Sequence, residues 1–274
     1  MEGMMNRLKG KIAIVTGGTQ GLGKAIAQRF AESGVAGLVT CGRRENQGLQ
    51  VAQEITGQTG VPAKFIKGDL GCVKDCRNIV KFAEREFDRV DILVNAAAIT
   101  DRGNLLDTSP ELFDQMFAVN VRGPFFLMQE TVKLMIRQGI KGAIVNIGSM
   151  SAHAGQPFII AYCSSKGALA TLTRNAAYSL LHNQIRVNQL NIGWMSSDGE
   201  DVIQRKYHGA DDGWLEEASK KLPVGRLIDP KEVARAVSFM VSDDAGLMTG
   251  SVINYDQSIW GAYDSPQSAG KPLA

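Results

Sequence analysis

Ser149, Tyr162 and Lys166 are the residues in this chain whose types and spacing most directly suggest chemistry. They stand in Ile147-Gly148-Ser149 and Tyr162-Cys163-Ser164-Ser165-Lys166. Four residues separate the tyrosine from the lysine, and segment 157–181 around them is rich in helix formers, so both side chains share one helix face. A phenol with an ordinary pKa near ~10 exchanges protons poorly at neutral pH. An ammonium one turn away is expected to favour the phenolate and draw that pKa down. Ser149 adds a hydroxyl able to hold a carbonyl oxygen. Of the five tyrosines, only Tyr162 has a lysine four residues on. Such pairs also occur on solvated helix faces, so the pair by itself does not decide the matter.

The elements that must position these residues follow from the apolar pattern. Strands are expected at 11–16, 37–41, 63–67, 90–95, 142–147, 185–190 and 251–255, as near-continuous apolar runs of the kind buried on both faces. Helices are expected between them at 22–33, 45–56, 73–88, 110–138, 157–181 and 230–242. Gly34, Gly139 and Gly142 punctuate helix ends, while Ser109-Pro110 and Asp229-Pro230 open new helices. This β-α alternation predicts an α/β fold: a doubly wound, Rossmann-like parallel sheet with helices on both faces, in a single domain over 1–274. Two segments break the rhythm: 194–222, and a small, polar tail at 261–274 that is expected to be loose.

Composition narrows the class. The chain has 274 residues, 44% hydrophobic and 21% charged, with a net charge of +2. That balance gives no electrostatic case for a nucleic-acid or membrane partner; the partner expected from the site residues is a small-molecule substrate. Residues 1–10 lack the apolar run of a signal peptide, so a cytoplasmic location is the expectation. Cys41, Cys72, Cys76 and Cys163 form no disulfide framework for a chain this size. Cys72 and Cys76 lack a second Cys or His pair at ligand spacing, so no metal is expected.

Directly after the first strand comes Thr16-Gly17-Gly18-Thr19-Gln20-Gly21-Leu22-Gly23, and a helix follows. Glycines 17, 21 and 23 permit a tight turn and close backbone approach to a pyrophosphate at the positive helix end. With a strand before and a helix after, the loop predicts dinucleotide binding through Gly17, Thr19, Gln20, Gly21, Leu22 and Gly23. The second strand ends in Cys41-Gly42-Arg43-Arg44. Gly42 stands where an acid for the ribose 2′-hydroxyl would stand, and a guanidinium suits a 2′-phosphate that a carboxylate would repel. NADP(H) is therefore the expected cofactor, with NAD(H) the alternative; Arg43 and Arg44 would hold the phosphate. A solvated basic loop would look the same.

The Gly-x3-Gly-x-Gly spacing, Asn95-Ala96-Ala97-Ala98, Asn120, Ser149 and Tyr162-x3-Lys166 together resemble the compact short-chain dehydrogenase/reductase family, from about residue 8 to 256. Ser149 lies thirteen residues before Tyr162, the family's interval. The resemblance implies a catalytic set of Asn120, Ser149, Tyr162 and Lys166. In it, Asn120 holds a water that links the lysine to solvent, and Lys166 and Tyr162 also touch the cofactor. It further implies cofactor contacts at Asp69, Leu70, Asn95, Ala96 and Ala97, then at Ile192, Gly193 and Met195. Two departures stand out: Asn-Ala-Ala-Ala replaces Asn-Asn-Ala-Gly, and Ile192-Gly193 replaces Pro-Gly, which loosens one constraint on that loop. Segment 194–222 corresponds to the family's substrate lid, and a homotetramer (or homodimer) is the family's habit.

The lid carries Ser196, Ser197, Asp198, Glu200 and Asp201, then Arg205, Lys206, His208 and Trp214. Apolar ligands call for apolar walls. Carboxylates beside tryptophan suit hydroxyl-rich ligands, so a polyol or sugar is favoured, with Ser149, Ser151, His153, Tyr162, Trp194 and Glu200 as candidate contacts and Phe158 and Trp260 as further wall residues. A solvated surface helix would read alike. The expected activity is NADP(H)-dependent interconversion of a secondary alcohol and a carbonyl. A 3-oxoacyl or xenobiotic ketone reductase is a second reading, and a catalytically silent NADP-sensing regulator a third.

Overall fold

Seven parallel strands form one sheet in the order β3-β2-β1-β4-β5-β6-β7. They are β1 Ile12–Thr16, β2 Gly37–Gly42, β3 Ala63–Lys67, β4 Ile92–Asn95, β5 Ala143–Ser149, β6 Arg186–Ile192 and β7 Val252–Tyr255. The computed structural model describes residues 7–153 and 155–259. The tail 261–274 and Trp260 lie outside the described residues. The apolar runs are strands for the expected reason. In β1, Ala13 and Val15 enter one core while Ile14 enters the other, so both faces of the sheet are dry.

Helices cover both faces. One core is closed by α1 (Gly21–Glu32), α2 (Glu45–Thr59) and α9 (Pro230–Val241), through Ile26, Ile55 and Val237 among others. The opposite core is closed by α3 (Val73–Phe87), α5 (Gly123–Gln138) and α6 (Ile160–Ser179), through Ile79, Leu127 and Ala177. Helix α9 starts at a capping box in which Asp229 and Glu232 satisfy each other's backbone N–H groups.

Two expectations need correction. The continuous helix expected over 110–138 is three pieces: α4 (Pro110–Phe117), a π-helical turn at Ala118–Arg122, and α5. Asn120 lies in the π turn, where its side chain bonds outside the helix (below); turns of this kind are rare and are frequent at functional sites. The helix expected over 157–181 begins only at Ile160, because Met150–His153 forms a 3-10 turn and 155–159 is loop. Segment 194–222 contains α7 (Asp198–His208), capped by the Ser197 hydroxyl, and α8 (Trp214–Lys220). Among the described residues, no helix is long and apolar enough to cross a membrane.

Strand order reverses between β1 and β4, and in open α/β sheets it is at the carboxyl ends of the strands beside such a reversal that ligands bind. The Gly-rich loop follows β1, Asn95 ends β4 and Ser149 ends β5. All three therefore meet at one edge.

Candidate active site

The Gly-rich loop takes a shape only glycine permits at two positions. Gly17 has φ +71°, and a Cβ at Gly23 would lie 2.2 Å from the Gly17 carbonyl oxygen. That closeness brings the start of α1 down on the loop, and no side chain caps the helix end or places an acid in its first turn. Open backbone N–H groups at a positive helix terminus suit a pyrophosphate. Thr16 Oγ1 accepts from Ala96 N (2.9 Å) and Ala97 N (3.1 Å), locking the loop after β4 against the one after β1. Asn95 donates to Asn146 Oδ1 (2.8 Å), while its own buried carbonyl oxygen has no partner.

Beyond β2, Arg43 and Arg44 are exposed, and neither pairs with a carboxylate among the described residues. Arg44 Nη2 donates to Thr19 Oγ1 at 3.2 Å, which leans its guanidinium over the loop. Asp69 braces its own turn by accepting from Gly71 N at 2.9 Å, and Leu70 is buried beneath it. An uncapped helix terminus, a cradle that a Cβ would fill and two unpaired arginines fit a phosphorylated dinucleotide.

Tyr162 lies in the first turn of α6, and Lys166 one turn on is buried. Lys166 Nζ donates to the Ile147 carbonyl at 2.8 Å and sits 5.6 Å from the centre of the Tyr162 ring. Burial lowers the lysine to about 8. Burial likewise pushes the Tyr162 phenol up to about 12; a hydrogen bond with the Ser149 side chain opposes this, as does the charge of Arg102, while nearby Glu200 adds to it. Desolvation is the largest influence on the phenol, and the Lys166 ammonium is turned to the β5 carbonyl of Ile147. The phenol is held neutral, the form that donates a proton.

Ser149 Oγ accepts from Ser151 N at 3.1 Å, fixing the turn after β5. The Asn120 amide is fully engaged. Its Oδ1 accepts from Ile99 N (3.0 Å), and its Nδ2 lies within reach of Ile99 O (3.0 Å) and Ser165 Oγ (3.1 Å). It ties the π turn to α6 at the residue beside Lys166. The loop after β6 is held despite its missing proline. Gly193 N donates to Tyr255 O (3.0 Å), Ile228 N donates to Trp194 O (3.0 Å), and Asp256 occupies the space a Gly193 side chain would need. Met195 pairs with Ile228 in the same loop, and Ile192 ends β6 beside Ser149.

The lid acids are less free than their composition suggests. Glu200 accepts from Trp194 Nε1 (2.8 Å) and Gln204 Nε2 (2.7 Å). Asp201 accepts from Trp214 Nε1 (2.7 Å) and Arg205 Nε (2.8 Å), which hold its carboxyl below the usual range. Trp194 and Trp214 stack at 6.2 Å between centroids. Ser151 bonds Gln156, and His153 Nε2 lies 3.0 Å from Asn254 Oδ1 on β7.

Sequence reasoning missed two features. One is a buried polar chain behind the site: Asn146 to Thr173 (2.9 Å), Thr173 to Gln189 (3.1 Å), Gln189 to Asn191 (2.8 Å) and Asn191 to Asn254 (3.1 Å). Its signal was present, since Gln189 and Asn191 sit inside an otherwise buried strand and need partners. The other is Arg102, which no periodicity marks. Of the cysteines, Cys76 is buried, and that burial pushes its thiol up to about 11.

Comparison with known proteins accounts for this arrangement. The family model described as Enoyl-(Acyl carrier protein) reductase matches residues 17–257. An uncharacterized oxidoreductase of Thermotoga maritima is 39% identical over 90% of this chain and 96% of its own length. Galactitol 2-dehydrogenase of Agrobacterium fabrum is 29% identical over 93% of this chain and 99% of its own. A solved structure assigned as an NAD(P)-dependent gluconate 5-dehydrogenase from Beutenbergia cavernae, with NADP at low occupancy, superposes with a TM-score of 0.82 at 30% identity, covering 91% and 96% of the two chains. With these likenesses running nearly end to end, and Ser149, Tyr162 and Lys166 gathered beside a dinucleotide cradle, the chain belongs to the short-chain dehydrogenase/reductase family and is an NAD(P)-dependent alcohol dehydrogenase/reductase.

Proposed function

We propose that the enzyme prefers NADP(H) and interconverts a secondary alcohol and a carbonyl on a polar, hydroxyl-rich substrate. The observation that carries this is the Tyr162 phenol placed beside Ser149 and Lys166, at the strand edge that also bears the phosphate loop and two arginines without a carboxylate partner among the described residues. Gly17, Thr19, Gln20, Gly21, Leu22 and Gly23 would hold the cofactor's pyrophosphate and Arg43 with Arg44 its 2′-phosphate. Asp69, Leu70, Asn95, Ala96, Ala97, Ile192, Gly193 and Met195 would line the rest. When bound, the cofactor supplies hydride for reduction and takes it up for oxidation.

This chain's residues manage the oxygen and its proton. Ser149 orients the carbonyl oxygen, and Tyr162 donates its phenolic proton to that oxygen as it gains charge. Lys166 stabilises the phenolate left behind and hands on a proton. Asn120, bonded to Ser165 beside it, braces the path to solvent. The uncovered surface supports self-association: Phe117, Val121, Phe125 and Leu172 line a groove of about 720 Å³ across α4, α5 and α6. We infer a homotetramer (or homodimer) in which this face is one of the interfaces, and sedimentation at a monomer's rate would remove it.

The deciding experiment is an initial-rate screen of sugars, polyols, hydroxy acids and ketones with NADP and NAD, followed at 340 nm. Turnover is expected, with Tyr162→Phe reducing it below a tenth while NADPH still binds. Tight NADPH binding with no turnover of any compound would favour a regulator.

A further inference from the structure

Arg102 lies between β4 and α4, beside a short parallel bridge. Gly103 N donates to Phe158 O at 3.0 Å, and Ile160 N donates to Gly103 O at 3.2 Å. That pairing runs the loop along the segment that opens α6, two residues before Tyr162. The Arg102 guanidinium sits between two rings, 5.6 Å from the centre of Phe158 and 5.8 Å from that of Tyr207 on α7. Nη1 donates to Thr100 O at 2.8 Å, and Nη2 is 3.4 Å from His208 Nε2. Nε is buried with no partner.

The neighbouring charges are already matched. Asp101 accepts from Tyr207 (2.7 Å) and lies 3.6 Å from Lys206; Asp201 is held by Trp214 and Arg205, and Glu200 by Trp194 and Gln204. Arg102 pairs with no carboxylate among the described residues, yet its charge reaches the Tyr162 phenol. A planar fork flanked by two aromatic faces, with a buried N–H left unmatched, is the donor set that a carboxylate completes through two parallel bonds.

We propose that Arg102 is the anion-recognition residue of the substrate site, and that the substrate is a hydroxy acid or oxo acid whose carboxylate pairs with this guanidinium. This rests on the reading of Tyr162 as the proton donor. The Nε–Nη2 edge receives the carboxylate as His208 on α7 gives way, which sets the acid end at the lid and the reacting carbon at Tyr162. The lid carboxylates then serve to hold the tryptophans rather than to bind hydroxyls.

Matched pairs that differ in the acid group test this: D-gluconate against D-glucitol, and L-lactate against propane-1,2-diol, with saturating NADP. The wild-type enzyme is expected to favour the acid of at least one pair more than tenfold in kcat/KM. Arg102→Gln should lower that acid-to-neutral ratio about 100-fold, as truncating a desolvated charge pair does, and Arg102→Lys should fall between. A purely structural clamp would depress both members of a pair and leave the ratio unchanged, which overturns the proposal, as would neutral compounds preferred in both pairs. If none of the four turns over, the wider initial-rate screen decides the hydride-transfer reading, and calorimetry of the NADPH complex with D-gluconate decides the anion site. Binding that Arg102→Gln abolishes sustains it, and absent binding overturns it.

Discussion

Replacing Lys166 by methionine should disable the enzyme and stabilise the protein, and the stabilisation should vanish at high pH. Lys166 is 3% exposed, and burial lowers it from 10.5 to about 8. At ~1.4 kcal/mol per unit, keeping the ammonium buried at pH 7 costs about 3 kcal/mol of stability. Methionine has similar length without the charge. Its introduction leaves the Ile147 carbonyl without its 2.8 Å donor, a loss of about 1–2 kcal/mol. It also removes the contact with the Tyr162 ring, worth about 0.5–1 kcal/mol. The net gain at pH 7 is about 1 kcal/mol, or roughly 2–4 °C in Tm.

The sign with pH is fixed by linkage. The folded-state pKa is the lower one, so between pH 8 and 10.5 the unfolded chain holds more protons and wild-type stability rises with pH. The cost of the lysine is fully present below 8 and gone above 10.5. Thermal melts by circular dichroism from pH 6.5 to 10.5 should show the variant ahead at pH 7 and behind at pH 10.5, while its turnover falls at least ~100-fold, a usual contribution of proton transfer. A variant less stable than wild type at pH 7, or an advantage that does not change with pH, would refute the reasoning.

Further expectations concern the cofactor. Gly23→Ala would drive a Cβ to 2.2 Å from the Gly17 oxygen and 3.0 Å from the Thr16 oxygen, backbone atoms that cannot swing aside. NADPH affinity by fluorescence titration should fall at least ~10-fold, as expected when a helix terminus leaves its phosphate, and an unchanged Kd would count against the cradle. Arg43→Ala should raise KM for NADPH more than for NADH, and equal effects would reject the 2′-phosphate assignment. Above pH 10 the raised Tyr162 phenol should itself destabilise the fold, because the unfolded chain loses that proton first; Tyr162→Phe should flatten the decline between pH 10 and 12 in alkaline melts.

Much of this protein is local and therefore legible in its sequence. Ile12–Thr16 reads as a strand buried on both faces because every residue there is apolar or small, and the loop of Gly17, Gly21 and Gly23 must follow it because no other residue allows that turn. The four-residue step from Tyr162 to Lys166 guarantees one helix face. Other facts depend on which distant segments pack together. Asn120 is drawn out of regular helix by Ile99 and Ser165, 21 and 45 residues away, and the π turn that results has no mark in Ala-Val-Asn-Val-Arg. The sequence alone determined which groups stand near the chemistry. Only the tertiary structure decided their surroundings: desolvation pushes the Tyr162 phenol up, the Lys166 ammonium donates to a β5 carbonyl, the lid acids are bound by tryptophans, and Arg102 is left between two rings without a carboxylate partner among the described residues. Desolvation and pairing are properties of shared space, and shared space is made by contacts between residues far apart in the chain.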